Sequence, residues 1–140
     1  MGSAEVAGPG TGRARSGAGV LMRDLRDRLA DIRAAGADIL VFVAGLDEAA
    51  FATLPETDRR TYRAIKNALV EIGQAIKQLP PEVLAAHREI NWRGFAGLRD
   101  IVAHQYFSVE LPRLWPTITD ELPALMAAVD AELGRLPPSS

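Results

Sequence analysis

The sequence predicts an all-α fold, an antiparallel helical bundle, and three observations carry that reading. Two long stretches repeat apolar residues at alternating steps of three and four, the spacing of one helix packed along another. Pro55, Pro80 and Pro81 fall at the ends of the second stretch, where proline interrupts no helical hydrogen bond. Nowhere do apolar and polar residues alternate over four to eight positions, as a half-buried strand requires.

The first long helix starts near Val20 and carries its seam on Leu25, Leu29, Ile32, Gly36, Ile39 and Val43. Glycine costs about 1 kcal/mol relative to alanine inside a helix, so Gly36 points to a close helix crossing. Gly45 ends the helix, since glycine accepts the left-handed conformation that closes C-termini. After a turn through Asp47 to Phe51, Pro55 and Thr57 precede the second seam, Tyr62, Ile65, Leu69, Ile72, Ile76 and Leu79. Two matching seams joined by a short connection predict a helical hairpin.

Glu82 to Arg88 suits a short helix, and Asn91 is placed to cap a third main helix that begins at Trp92 and buries Trp92, Phe95, Leu98 and Val102. Ser108 is the expected cap of the next segment, which Pro112 and Pro116 keep short or kinked. Asp120 is the expected cap of the last helix, with Pro123 in its first turn and Ile118, Leu122, Leu125, Val129 and Leu133 on its buried face.

A chain of 140 residues is the size of one domain, read here as residues 20–136. Residues 1–19, rich in Gly and Ala and without helical period, read as a disordered extension, and residues 137–140 as a frayed tail. No apolar run approaches the length of a bilayer span or resembles a secretory leader, so no membrane partner is expected. The absence of cysteine removes disulfides, thiolate catalysis and cysteine metal sites, and fits a reducing cytoplasm. With a formal charge of −2, nucleic-acid binding must rest on a local patch. Arg59, Arg60, Arg63, Arg88 and Arg93 could contribute one, with a plain solvated surface as the default reading.

Site chemistry concentrates in Leu98 to Tyr106, LRDIVAHQY. Arg99 can hold a phosphate through two parallel hydrogen bonds, His104 can move a proton near neutral pH, and Tyr106 adds a hydroxyl. On an ideal helix Asp100 lies one turn before His104, placed to orient its ring and support the imidazolium. Arg99 and Tyr106 lie within about 20° of each other, but Arg99 and His104 stand about 140° apart. Either the helix distorts near Ala103 or a working site combines two chains. Quieter roles exist for each: an ion pair of Arg99 with Asp100 or Glu110, a surface position for His104, a core edge for Tyr106. His87 reads as solvent-exposed, and Trp92 and Trp115 as core anchors. No phosphate-cradling glycine loop, zincin histidine pair or di-iron carboxylate set occurs, so neither metal nor cofactor is expected.

The spacing of Arg99, His104 and Tyr106 resembles the signature of HEPN-domain ribonuclease toxins of the HepT-like branch. INWRGFAGLRD ahead of it, IGQAIK at Ile72 to Lys77, and the Trp115 to Leu125 run with its Leu122-Pro123 step are similar too, so the resemblance covers about residues 20–135. It implies a HEPN-like bundle and a homodimer whose paired motif helices face across a cleft. The implied activity is a metal-independent endoribonuclease of a toxin–antitoxin pair. Arg99 and His104 would be catalytic, cleaving RNA rather than DNA by transfer to the 2′-hydroxyl, with Asp100 and Tyr106 in support. Its partner would be a minimal nucleotidyltransferase antitoxin that attaches AMP to Tyr106. Asp100 stands where asparagine is common in the family, and Gln74 where glutamate is frequent. The alternative is a non-catalytic helical protein that pairs with a nucleotidyltransferase and keeps the motif for docking.

Overall fold

A computed structural model describes residues 10–104 and 107–138, with side chains from Gly19 onward. The elements are α1 (Gly10–Val43), α2 (Glu48–Ala52), α3 (Leu54–Thr57), α4 (Arg59–Lys77), α5 (Pro81–Ala86), α6 (Trp92–Ala96), α7 (Leu98–Ala103), α8 (Phe107–Glu110) and α9 (Leu122–Arg135). A 3-10 turn, Leu111–Leu114, and a π turn, Thr117–Glu121, join the last two. Among the described residues there is no strand, and no helix is long and apolar enough to cross a membrane.

The two long seams meet as expected. Leu29, Ile32 and Ile39 of α1, and Ile65, Leu69, Ile72 and Ile76 of α4, are buried in one core. The pair is antiparallel: the short connection from Val43 to Arg59 turns the chain back, and Arg28, midway along α1, donates to the side chain of Gln78, just past the end of α4, at 3.0 Å. The helix ends are set locally. Gly45, at φ +82°, turns the chain out of α1, and Asp58 caps α4 by accepting from the Thr61 amide at 3.1 Å and its hydroxyl at 2.7 Å.

α4 is the hub, with α1 on one side and α6 and α7 on another, while α9 packs on α1. At Gly36 a Cβ would run into the Met126 sulfur and come within 3.4 Å of Leu122 Cδ1, which is the close crossing its place in the seam calls for. Arg33 adds an ion pair to Asp130 of α9 at 2.9 Å. Trp92 locks α5 to α6 by donating its indole N–H to the carbonyls of His87, at 2.9 Å, and Leu84, at 3.2 Å.

Several expectations are corrected. The third main helix is two pieces: Asn91 caps it as expected, accepting from the Gly94 amide at 3.1 Å, but the backbone bends at Gly97 (φ −80°, ψ −3°). Glycine is a weak helix former, and α7 begins anew after it. Ser108 lies inside α8 rather than ahead of it. Asp120 does not cap α9, because the π turn runs into that helix and its cap position, Glu121, makes no side-chain bond; Pro123 is in the first turn as expected. His87 is not solvent-exposed: its ring is 15% accessible, and Nε2 donates at 2.6 Å to the buried carboxylate of Glu132, which also accepts from Arg135 at 3.2 Å. α1 is helical from Gly10, inside the stretch read as an extension, and residues 1–9 lie outside the described residues.

Candidate functional site

Two buried side chains bracket the motif. Leu98 opens α7 and Phe107 opens α8, 2% and 3% exposed, and between them Arg99, Asp100, Ile101, Ala103 and His104 face solvent. Phe107 is fixed by stacking on Tyr62 of α4, ring centroids 6.1 Å apart. The segment is thus a short exposed bridge between two core anchors, not one side of a continuous helix.

Gly73 of α4 fixes the Arg99 end. A Cβ at Gly73 would stand 3.2 Å from the Arg99 amide nitrogen, 3.2 Å from the Phe95 carbonyl oxygen and 3.3 Å from that of Ala96. Three backbone atoms at that range leave a methyl too little space unless the elements shift by a few tenths of an ångström, so α4 lies directly against the α6–α7 junction. The Arg99 side chain is exposed, and among the described residues no carboxylate lies within 4 Å of it. Glu110, one of its expected partners, pairs with Arg113 at 3.0 Å instead.

His104 leaves the helix. Its backbone is extended (φ −64°, ψ 138°), its N–H donates to the Ile101 carbonyl at 3.2 Å, and its own carbonyl accepts from the Phe107 amide at 3.1 Å. α7 ends at Ala103, but with φ of His104 at the helical value the separation of about 140° from Arg99 persists within one chain. Because helix runs through Ala103 and φ of His104 is helical, Asp100 and His104 still leave the backbone on one side. Tyr106 lies outside the described residues.

Two features of the surroundings escape sequence reasoning. Tyr62 has its hydroxyl pKa raised, burial being the largest cause, and beside it Lys66 holds its ammonium 5.2 Å from the Tyr62 ring centre and 6.0 Å from that of Phe107. Second, a cleft of about 270 Å³ runs beside the motif between α6, α7 and the turns that follow α8, lined by Leu98, Ile101, Glu110 and Arg113 among others. Among the described residues no group of three or more His, Cys, Asp or Glu side chains is arranged to hold a metal ion.

Comparison with known proteins gives one consistent answer. The profile described as Ribonuclease HepT-like matches residues 32–132. A protein of Thermococcus cleftensis described as "Probable ribonuclease HepT" is 40% identical over 68 residues, 49% of this chain and 62% of that one. A protein of Caldanaerobacter subterraneus subsp. tengcongensis, provisionally described as an RNase, is 41% identical over 63 residues, 45% of this chain and 56% of its own. The chain thus spans about three-fifths of the length of these two relatives. A Methanocaldococcus jannaschii protein with the same provisional description is 30% identical over 101 residues, 72% of this chain and 80% of that one. No solved structure matches significantly.

Proposed function

The chain belongs to the HepT-like ribonuclease family, and from that premise we propose that it is a metal-independent endoribonuclease whose site is shared by two copies across a two-fold axis. The observation that carries the reading is the bridge itself: Leu98 and Phe107 buried, Arg99 and His104 exposed between them, and no carboxylate within 4 Å of Arg99 among the described residues. A guanidinium facing water with no carboxylate against it is what an incoming phosphodiester needs and what a structural ion pair would not leave available.

Cleavage proceeds by internal transfer. The neutral imidazole of one His104 takes the proton from the ribose 2′-hydroxyl, and the 2′-oxygen attacks the adjacent phosphorus. The bond from phosphorus to the 5′-oxygen breaks, and that oxygen takes a proton from the imidazolium of the second His104. The products are a 2′,3′-cyclic phosphate and a 5′-hydroxyl. Arg99 stabilises the charge on the non-bridging oxygens as the phosphorus becomes pentacoordinate. One histidine per subunit supplies both proton transfers, which is the physical reason for a dimer. Ile101 within the motif and Val109 just after it, 38% and 69% exposed, offer a second copy apolar surface to cover.

In this reading the partner is a minimal nucleotidyltransferase antitoxin, and the modified residue is Tyr106. An AMP group there sets a bulky anion beside the phosphate site and excludes RNA by sterics and repulsion. The test incubates the purified, unmodified protein with total RNA and a chelator, beside His104→Ala and Arg99→Ala. Cleavage by the wild type alone, with all three proteins equally helical and dimeric, is the expected result. A wild type inert on varied RNAs, with the two variants altered only in nucleotidyltransferase binding, overturns the nuclease and favours a non-catalytic docking protein.

A further inference from the structure

α4 sorts its charges. At about 100° per residue, Arg59, Arg63 and Lys66 fall within about 60° of one another, and Gly73 lies about 20° from Lys66, so the three cations border the side of α4 that meets the motif. Glu71, the sole acidic residue of α4, sits about 140° from Lys66 and lines the cleft toward α1 with Asp31 and Asp38. A chain of formal charge −2 therefore presents one helix side with cations and no acid.

That side runs alongside the motif. Gly73 touches the backbone of Arg99 at one end, and Lys66, two turns toward the start of α4, lies against Phe107 at the other. His104 is tied to Phe107 by the 3.1 Å backbone bond, which brings it to the Lys66 end. Lys66 is half-buried, with its ammonium held beside two aromatic rings, and among the described residues no carboxylate lies within 4 Å of Lys66, Arg59 or Arg63. Aromatic faces hold an ammonium without neutralising it, so the charge stays available to an anion.

We infer that Arg59, Arg63 and Lys66 form a track for the RNA backbone, binding phosphates next to the one that Arg99 and His104 act on. The inference rests on the ribonuclease reading and extends it to how the strand is held. Its ligand is single-stranded RNA met through phosphate charge, with Lys66 nearest the scissile position and Arg59 farthest out. No base is read by these contacts, so the track contributes affinity and register without sequence preference.

The experiment uses the full chain carrying His104→Ala, so that RNA survives, and follows the anisotropy of a labelled, unstructured oligoribonucleotide over a salt series. Each phosphate contact to a single strand adds about 0.7 to the slope of log affinity against log salt. Lys66→Met and Arg63→Met are expected each to lower the slope by about that amount and to weaken binding severalfold at low salt. Lys66→Arg restores it, and Arg33→Met, whose charge is already paired on α1, leaves it unchanged. Thermal unfolding of each variant guards against a folding artefact, and Lys66→Arg keeps the test sharp if the methionine is less stable. RNA cleavage by the wild type with unaltered slopes in all track variants overturns this inference alone. A folded protein that neither binds nor cleaves RNA overturns it together with the ribonuclease reading.

Discussion

Gly73→Ala isolates the contact on which the site geometry depends. The added methyl would stand 3.2 Å from the Arg99 nitrogen and the Phe95 oxygen and 3.3 Å from the Ala96 oxygen, all backbone atoms that no rotamer change can move aside. α4 and the α6–α7 bend must separate by a few tenths of an ångström. Overpacking of this kind costs about 1–3 kcal/mol, whereas replacing a mid-helix glycine with alanine returns about 1 kcal/mol. The net is a loss of about 0–2 kcal/mol, a fall in Tm of up to about 8 °C for a domain of this size. Cleavage should fall further than stability, because the displaced atoms belong to the residue that carries the guanidinium, and misplacement by about 1 Å can cost on the order of 100-fold in rate. Urea unfolding and RNA cleavage are measured on the same preparation. A Gly73→Ala protein about 1 kcal/mol more stable than wild type and fully active would refute the reasoning, since it would show the bend free to recede.

Other substitutions test separate parts. Glu132→Ala removes the acceptor of both His87 and Arg135 and should cost about 2–3 kcal/mol in urea unfolding, while Glu132→Gln keeps one acceptor and should cost less. Phe107→Ala empties a buried ring site and unpins the end of the motif, for about 3–5 kcal/mol; a loss under 1 kcal/mol would mean that Phe107 is no anchor. Asp58 has its pKa lowered, the Thr61 side-chain bond being the largest cause. A depressed carboxyl contributes stability above its unfolded value of 3.8 and loses it as pH falls through the lower folded value. Asp58→Asn should therefore flatten the acid limb of a Tm-against-pH curve below about pH 4. Asp100→Asn removes an exposed negative charge beside Arg99 and should tighten RNA binding at low salt, an effect that fades as salt screens it.

The two long seams were legible because each helix buries one side along most of its length, so the period survives in the residues themselves; Gly36 signalled a close crossing, but not that α9 makes it. The break at Gly97 was not, since Trp92, Phe95, Leu98 and Val102 face the core in both halves and an interruption of one αR residue leaves their spacing intact. His87 was misread for another reason. Its partner Glu132 is 45 residues away, on a helix whose approach to α5 follows from the packing of α9 on α1. Lys66 and Phe107 meet across a similar gap, so nothing local distinguished Lys66 from the solvated charges around it. For the catalytic candidates the sequence supplied residue types and spacing, while their exposure and the departure of His104 depend on where α7 stops.

That stopping point decides what the site can do. On an unbroken helix Arg99 and His104 diverge by about 140°, and one phosphate cannot meet both. Ending α7 at Ala103 turns the chain away after His104, whose φ of −64° keeps its side chain in the direction of the last helical turn, and exposes backbone and apolar surface, a cost that a short segment cannot offset by its own hydrogen bonds. Leu98, Phe107 and the Tyr62 ring supply the offset through burial outside the segment, and Gly73 holds its start against α4. On the ribonuclease reading the core residues that flank the motif set its geometry, and a variant that carried the helix on past residue 104 would be expected to gain helicity while losing cleavage.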